Sequence, residues 1–232
     1  MQRKYIAAID QGTTSTKVIV VNHESQIVEQ ASRDIKQYYP QPGWVEHDAD
    51  DIWQSVLGCF NEIFARNIVK PEEIAAIGIT DQRETTTLWN SKTGEPVYHA
   101  ICWQSRQTAP ICERMKKQEG LEELINQKTG LLIDPYFSAS KIRFILENVS
   151  GVQQQVDAGE IMMGTVDTWL MWNLSGKRAH VIDYTNASRT LLLNIHTLDW
   201  DDELIDKIGV PKSILPQLKP SSCEALAMTD PD

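Results

Sequence analysis

Apolar residues fall into two rhythms along the chain, short β-branched runs and one long stripe at helical spacing. Tyr5 to Ile9 and Val18 to Val21 are apolar runs on either side of a polar stretch, Asp10-Gln11-Gly12-Thr13-Thr14-Ser15-Thr16, and this pattern predicts a β-hairpin. Ile27 to Ile35 continues as a third strand. The Pro- and Gly-bearing segment YYPQPGWVEHDADD reads as a connection that ends in acidic cap residues. Ile52, Trp53, Val56, Leu57, Phe60, Ile63 and Phe64 then recur at helical spacing, which predicts an amphipathic helix packed on a sheet. The acids before it, Glu46, Asp48, Asp50 and Asp51, are expected to cap that helix and complement its dipole rather than to hold a metal.

Ile74 to Thr80 has the composition of a buried strand. A polar break, Asp81-Gln82-Arg83-Glu84, separates it from a second run, TTTLWN. Lys92 to Pro96 reads as a turn and Val97 to Trp103 as another strand. Helical patterns dominate from Ser105 to about Val149, interrupted at Gly120 and at GLLIDPY. EIMMGTVDTWLMWNL pairs a short strand with a helix for which Asp167 is the expected cap. A hairpin followed by alternating strands and helices predicts an α/β fold with a mixed sheet.

Composition narrows the function classes. With 232 residues, 41% of them hydrophobic, the chain can build a core of one or two domains. No apolar run approaches the roughly 18 to 20 residues of a membrane span, and no signal-peptide core precedes Asp10, so a cytoplasmic location is expected. A net charge of -10 opposes binding to nucleic acid and to anionic membrane over most of the surface. An anionic ligand must therefore be held locally. Cys59, Cys102, Cys112 and Cys223 are scattered without a CxxC pair, and reduced thiols are expected. The five histidines form no metal-binding grouping, and GxSxG, GxxxxGK[ST] and GxGxxG are all missing.

Two stretches carry candidate chemistry. In the hairpin turn, Gly12 can take φ > 0 and lets backbone approach a bound group, while Thr13, Thr14, Ser15 and Thr16 offer hydroxyls and N–H groups to the same concavity. Such a turn suits phosphate. Asp10 is a hard oxygen ligand of the kind Mg²⁺ takes beside waters and phosphate, and Lys17 adds a charge-assisted donor. The spacing alone fits a plain hydroxyl-rich turn equally well. Arg83 and Glu84 sit side by side at a strand break, where both can turn toward one cleft. Glu84 can accept hydrogen bonds from the hydroxyls of a polyol and Arg83 can donate to them, although a surface ion pair has the same sequence. Trp103 and Tyr136 are the candidate walls of a small pocket, and each alone also fits plain core.

Taken together, DQGTTS, YPQPGWVEHD, AAIGITDQRETT, ICWQSR, TGLLIDPYFSASK, GTVDTWL, DYTNASRT and NIHTLDWDD cover essentially the whole chain. With these motifs the sequence resembles the FGGY carbohydrate kinases of the actin and sugar-kinase superfamily, and among them the glycerol kinases. The resemblance implies a ribonuclease H-like fold of mixed sheet and flanking helices, with ATP as phosphoryl donor and Mg²⁺ beside it. It implies Thr13, Thr14, Ser15 and Lys17 as nucleotide contacts and Asp10 as holding magnesium through water. Thr13, Arg83, Glu84, Trp103 and Tyr136 would hold glycerol, which the enzyme converts to sn-glycerol 3-phosphate. A homo-oligomer is implied for the full-length enzyme.

Three departures matter. Lys17 stands where these kinases commonly have Arg, a change from fork to point charge, and Phe144 in YFSASKIRFIL stands where Trp is usual. Family members also carry a second half, and their catalytic base is an Asp in a Gly-Asp-Gln run at its start. Residues 1–232 contain no such run, so they correspond to the N-terminal substrate- and phosphate-binding domain without its C-terminal partner. The general base is expected beyond Asp232, no catalytic residue is assigned within the chain, and the chain alone is expected to be inactive. Asp183 in DYTNASRT lies in a loop that the resemblance makes structural. The rival expectations are another FGGY kinase, acting on a pentulose or a sugar acid, and a truncated, non-catalytic binding domain.

Overall fold

Alternation along Tyr5 to Val21 puts Ala7, Ile9, Val18 and Val20 on one face of a hairpin. The structure, a computed structural model that describes residues 4–222 and 227–230, buries all four completely. The chain forms two compact units, one from its start to Gln37 together with His47–Gln82, the other from Tyr38–Glu46 together with the chain from Arg83 on.

In the first unit β1 (Tyr5–Gln11) and β2 (Ser15–Val21) are antiparallel, and β3 (Ile27–Asp34) joins β2 in the same sense. The chain next passes through the two-residue β4 (Glu46–His47). Helix α1 (Ala49–Ala65) then leads through a 3-10 turn, Pro71–Glu73, to β5 (Ile74–Asp81), which lies parallel to β1. The order β3-β2-β1-β5 gives the mixed sheet that the pattern predicts. The buried face of α1, with Ile52, Val56, Cys59 and Ile63, covers one side of this sheet. Asp48 caps the helix, accepting from the Asp50 N–H at 2.9 Å, and Asp50 and Asp51 occupy its first turn. At the other end Arg66 pairs with Glu62 at 2.6 Å and with Glu29 at 2.5 Å.

Two expectations are corrected in this part of the chain. Glu46 caps nothing. It is 2% exposed in the second unit, where it accepts from Tyr98 Oη at 2.6 Å and Gln107 Nε2 at 3.2 Å and faces His99 Nδ1 at 3.2 Å. Ile74 to Thr80 is not a buried strand either. As β5 it has β1 as its one neighbour among the described residues, and its residues are half-buried or exposed. An uncharged run reports what a strand lacks, not how many neighbours it has.

In the second unit β6 (Thr86–Asn90) pairs antiparallel with β7 (Ala100–Ile101) at Thr86 and, along its length, with β8 (Ile161–Thr165). The strand expected over Val97 to Trp103 shortens to β7, because the adjacent side chains of Tyr98 and His99 both reach the Glu46 carboxylate. Regular alternation would send them to opposite faces. Helices α2 (Ala109–Lys116), α3 (Leu121–Thr129) and α4 (Ser138–Asn148) fill the region read as helical, with breaks at Gly120 and across GLLIDPY. After α5 (Val152–Asp157) and β8 comes α6 (Val166–Leu174). Its N-cap is Thr165, not Asp167. The strand stays extended as far as Thr165, whose hydroxyl donates to the Asp167 carboxylate inside the first turn. Leu88, Ile101, Ile125, Ile142, Ile145 and Met163 belong to one continuous core. Behind it Trp89 packs on Trp169 and Trp172 with ring centroids 5.3 and 6.0 Å apart. A Cβ at Gly164 would meet Thr168 Cβ at 2.5 Å, so this close approach of β8 to α6 requires glycine.

The remaining elements are β9 (Val181–Asp183), α7 (Tyr184–Ala187), β10 (Leu193–Asn194), β11 (Asp199–Trp200), α8 (Asp202–Ile208) and β12 (Gln217–Lys219). Parallel pairing of β12 with β9 closes this part of the unit. Asp183 caps α7 and accepts from Thr185, Asn186 and Ser221. Burial pushes its carboxyl up, but these hydrogen bonds hold it below the ordinary carboxylate range. That is a structural carboxylate. Cys59, Cys102 and Cys112 are buried free thiols whose pKa burial raises, whereas Cys223 lies outside the described residues. Among the described residues no helix is long and apolar enough to cross a membrane.

Candidate functional site

Pairing of β1 with β2 continues through Gln11 and Thr16, so Asp10 stands inside the strand opposite Lys17 rather than at the start of the turn. The turn proper is Gly12-Thr13-Thr14. Asp10 and Lys17 share the exposed face, and neither makes a hydrogen bond or ion pair among the described residues. Their buried neighbours, in contrast, are tied down. Gln11 Nε2 donates to the Gly12 carbonyl at 2.7 Å, and Gln82 Nε2 donates to Gln11 Oε1 and to the Gly12 carbonyl, each at 3.1 Å. The Gly12 N–H donates to the Ser15 carbonyl and the Ile35 N–H to the Thr14 carbonyl, both at 2.9 Å. Thr16 Oγ1 and Ser55 Oγ, 2.6 Å apart, fasten β2 to α1. A Cβ on Gly12 would sit 3.1 Å from the Ser15 carbonyl oxygen, so any larger residue must push the turn open.

The result is a tip braced by these bonds that presents half-exposed Thr13 and Ser15, exposed Thr14, and a carboxylate and an ammonium without protein partners among the described residues. Its donor set fits magnesium as that ion is usually held, by one or two carboxylates, with waters and phosphate oxygens completing the octahedron. No group of three or more His, Cys, Asp or Glu side chains among the described residues forms an all-protein cage.

The second unit holds the other sequence candidates. Glu84 is a non-glycine residue with φ of 67° and is 2% exposed, a combination that marks backbone held against its preference. Its carbonyl accepts from Lys141 Nζ at 2.7 Å and from Thr86 Oγ1 at 2.9 Å. Its carboxylate Oε1 accepts from Arg189 Nε at 2.6 Å, and the Arg189 guanidinium also lies over the Phe137 ring at 5.1 Å. Arg83 is exposed and makes no hydrogen bond or ion pair among the described residues. The ion-pair partner of Glu84 is therefore an arginine 105 positions away rather than its neighbour.

Trp103 and Tyr136 are brought together, their rings 5.7 Å apart at an interplanar angle of 67°. The Trp103 N–H donates to Thr85 Oγ1 at 3.2 Å, and the Tyr136 carbonyl accepts from Lys141 Nζ at 2.6 Å. Glu84, Trp103 and Tyr136 thus belong to one cluster of hydrogen bonds and ring contacts, and exposed Arg83 precedes Glu84 in the chain. Sequence reading missed Lys141 and Arg189. The signal for Lys141 was a lone cation among the small and apolar residues of SASKI; Arg189 lay within a quoted motif with no role attached.

Comparison with known proteins places these sites in a family. Residues 5–231 match the N-terminal domain of the FGGY family of carbohydrate kinases. Proteins named glycerol kinase from Geobacillus sp. (strain WCH70) and Thermus thermophilus are 56% and 55% identical to it over 228 residues, 98% of this chain and 46% of each relative. The chain spans about half the length of the relatives it matches, 46% of each. Among solved structures, Plasmodium falciparum glycerol kinase with ADP superposes with a TM-score of 0.89 at 33% identity, covering 99% of this chain and 45% of that one. Gluconate kinase from Lactobacillus acidophilus superposes with a TM-score of 0.81 at 25% identity, covering 93% and 42%. By its matching domain, its mixed sheet with flanking helices and these relatives, the chain belongs to the FGGY family of carbohydrate kinases.

Proposed function

We propose that the chain is the substrate- and phosphate-binding N-terminal domain of an ATP-dependent glycerol kinase, which transfers the ATP γ-phosphate to glycerol to give sn-glycerol 3-phosphate. The observation that carries the choice of substrate is the cluster around Glu84. Arg189 takes one carboxylate oxygen, and Oε2 has no partner among the described residues, so it is available to accept from a hydroxyl. Arg83 supplies donors beside it, and the faces of Trp103 and Tyr136 suit the carbon chain of a small polyol. A ligand without hydroxyls would leave buried polar groups unpaired and be rejected. The relatives at 55% to 56% identity bear the name glycerol kinase, which supports the same substrate.

At the hairpin tip, Thr13, Thr14, Ser15 and Lys17 would hold the phosphates of the nucleotide and Asp10 would hold magnesium. When bound, magnesium neutralises charge on the transferring phosphoryl group. Phosphoryl transfer demands mainly positioning and charge stabilisation, and the braced turn and Lys17 suit that demand. The base that takes the glycerol hydroxyl proton is assigned to an Asp beyond Asp232, so the chain alone binds ligand without turning it over. The proposal places the enzyme in the cytoplasm, as a homo-oligomer at full length, with glycerol and ATP/ADP as partners and neither nucleic acid nor membrane among them. A second reading, a kinase for a pentulose or a sugar acid, draws on the likeness to gluconate kinase and to a ligand-bound xylulose kinase from Lactobacillus acidophilus, each at 25% identity.

Kinetics separate the readings. In the enzyme completed with the second half its relatives carry, Glu84→Gln and Arg83→Ala are expected to raise KM for glycerol with a smaller effect on KM for ATP. Unchanged glycerol kinetics in both variants rejects the assignment.

A further inference from the structure

Lys141 is the least expected residue of the second unit. It lies on α4 with no exposed surface, and among the described residues its ammonium has two hydrogen-bond partners, both backbone carbonyls. Among the described residues no carboxylate lies within ion-pair distance of it. Packing alone does not explain a cation there, since a buried charge without an ionic partner is unfavourable and an apolar side chain of similar volume would fill the space at less cost. The two carbonyls it grips are those of Glu84 and Tyr136, and each belongs to a residue whose side chain carries the polyol site. One of the two, Glu84, sits in a left-handed conformation that a non-glycine residue leaves unless it is held.

We infer that Lys141 is a positioning residue for the polyol site: by fixing the Glu84 and Tyr136 carbonyls to one ammonium it sets the carboxylate and the aromatic wall in register with each other. The inference rests on reading Arg83, Glu84, Trp103 and Tyr136 as that site. Lys141 touches no substrate. Without the clamp, Glu84 relaxes toward negative φ and its carboxylate turns off the bearing that Arg189 gives it. Burial pushes the Lys141 pKa down to about 7, with the Cys102, Glu84, Cys112 and Asp134 groups facing it. Hydrogen bonding to the carbonyls survives loss of one proton, because a neutral amine keeps two donors.

Calorimetric titration of the 232-residue chain with glycerol, wild type beside Lys141→Met, tests the inference. Lys141→Met is expected to melt cooperatively and to bind glycerol about ten- to a hundredfold more weakly, the range that follows from leaving buried hydrogen-bonding groups unpaired. A purely structural role would shift the melting temperature and leave the affinity of the folded molecules unchanged, and that result overturns the inference while leaving the glycerol reading intact. No glycerol binding by the wild type overturns both. Should Lys141→Met fail to fold, the Nζ resonance of Lys141 in the ¹⁵N-labelled wild type gives the answer. A shift on saturation with glycerol is expected, and an Nζ signal indifferent to bound glycerol overturns the positioning role.

Discussion

Glu84 is 2% exposed and its carboxylate is matched by Arg189, and this decides how its removal is felt. Glu84→Gln leaves Arg189 facing a neutral amide, so it weakens the polyol site and lowers stability together, by about 1 to 3 kcal/mol if the burial of the pair is typical. Arg83→Ala removes an exposed side chain with no partner among the described residues, so its effect should be confined to ligand binding. A thermal melt of the two variants distinguishes them: a lower midpoint for Glu84→Gln and an unchanged one for Arg83→Ala are expected, and equal midpoints contradict this division. Lys141 sets a pH dependence whose direction follows from linkage. Its ordinary value is 10.5 and its folded value about 7, so between these the unfolded chain binds the extra proton and stability rises with pH. Denaturant midpoints at about pH 7 and about pH 9, below the range where the buried thiols count, should show the rise in the wild type and its loss in Lys141→Met. An equal rise in both would assign it to other groups. The thiols of Cys59, Cys102 and Cys112, whose pKa burial raises above the ordinary 9.0, and Tyr98, whose pKa burial and Glu46 raise above its ordinary 10.0, add opposite slopes only above those values. The Arg83-Glu84 pair was legible as chemistry, but its electrostatics were not. No local spacing reports a partner 105 residues away.

Elements were legible where one period ruled. The hairpin and α1 follow from strict alternation and from a helical stripe, and both stand as predicted, with Asp48 as the cap. Replacing Asp48 by Ala should cost about 1 kcal/mol of stability, measurable as a lower denaturant midpoint, and no change would mean that the cap bond is not formed in solution. The readings failed where tertiary contacts overrode the local pattern. Tyr98 and His99 leave the strand to reach Glu46, β5 ends at a sheet edge, and α6 begins at Thr165 because β8 runs straight into it. In the hairpin itself the structure sharpened the reading. Asp10 belongs to β1, with its backbone fixed by strand pairing. Asp10→Ala is therefore expected to depress kcat in the completed enzyme, and Gly12→Val to block close approach of phosphate. Wild-type Mg·ATP affinity and turnover in both variants would reduce the hairpin to an ordinary turn.

Each of the two units carries a core of its own, the sheet under α1 in one and the cluster around Ile142 and Met163 in the other. Folding of the 232-residue chain is therefore expected without a partner. Turnover is not. General-base assistance alone is typically worth about 10²- to 10⁴-fold, and the proposal assigns the base to an Asp outside these residues. A coupled ADP-release assay with glycerol and Mg·ATP should show no glycerol-dependent rate; a rate near the usual kinase range of about 1 to 100 s⁻¹ would place a base within these residues. The family was legible because many short motifs agreed, whereas the substrate rests on a handful of side chains. The central claim is that those side chains make a glycerol site. Calorimetry on the purified chain tests it most directly, with glycerol, a pentulose and gluconate titrated in turn into the wild type and Glu84→Gln. The account predicts that glycerol alone binds the wild type and that Glu84→Gln loses it; binding of the pentulose or gluconate in place of glycerol, or glycerol binding indifferent to Glu84→Gln, would contradict it.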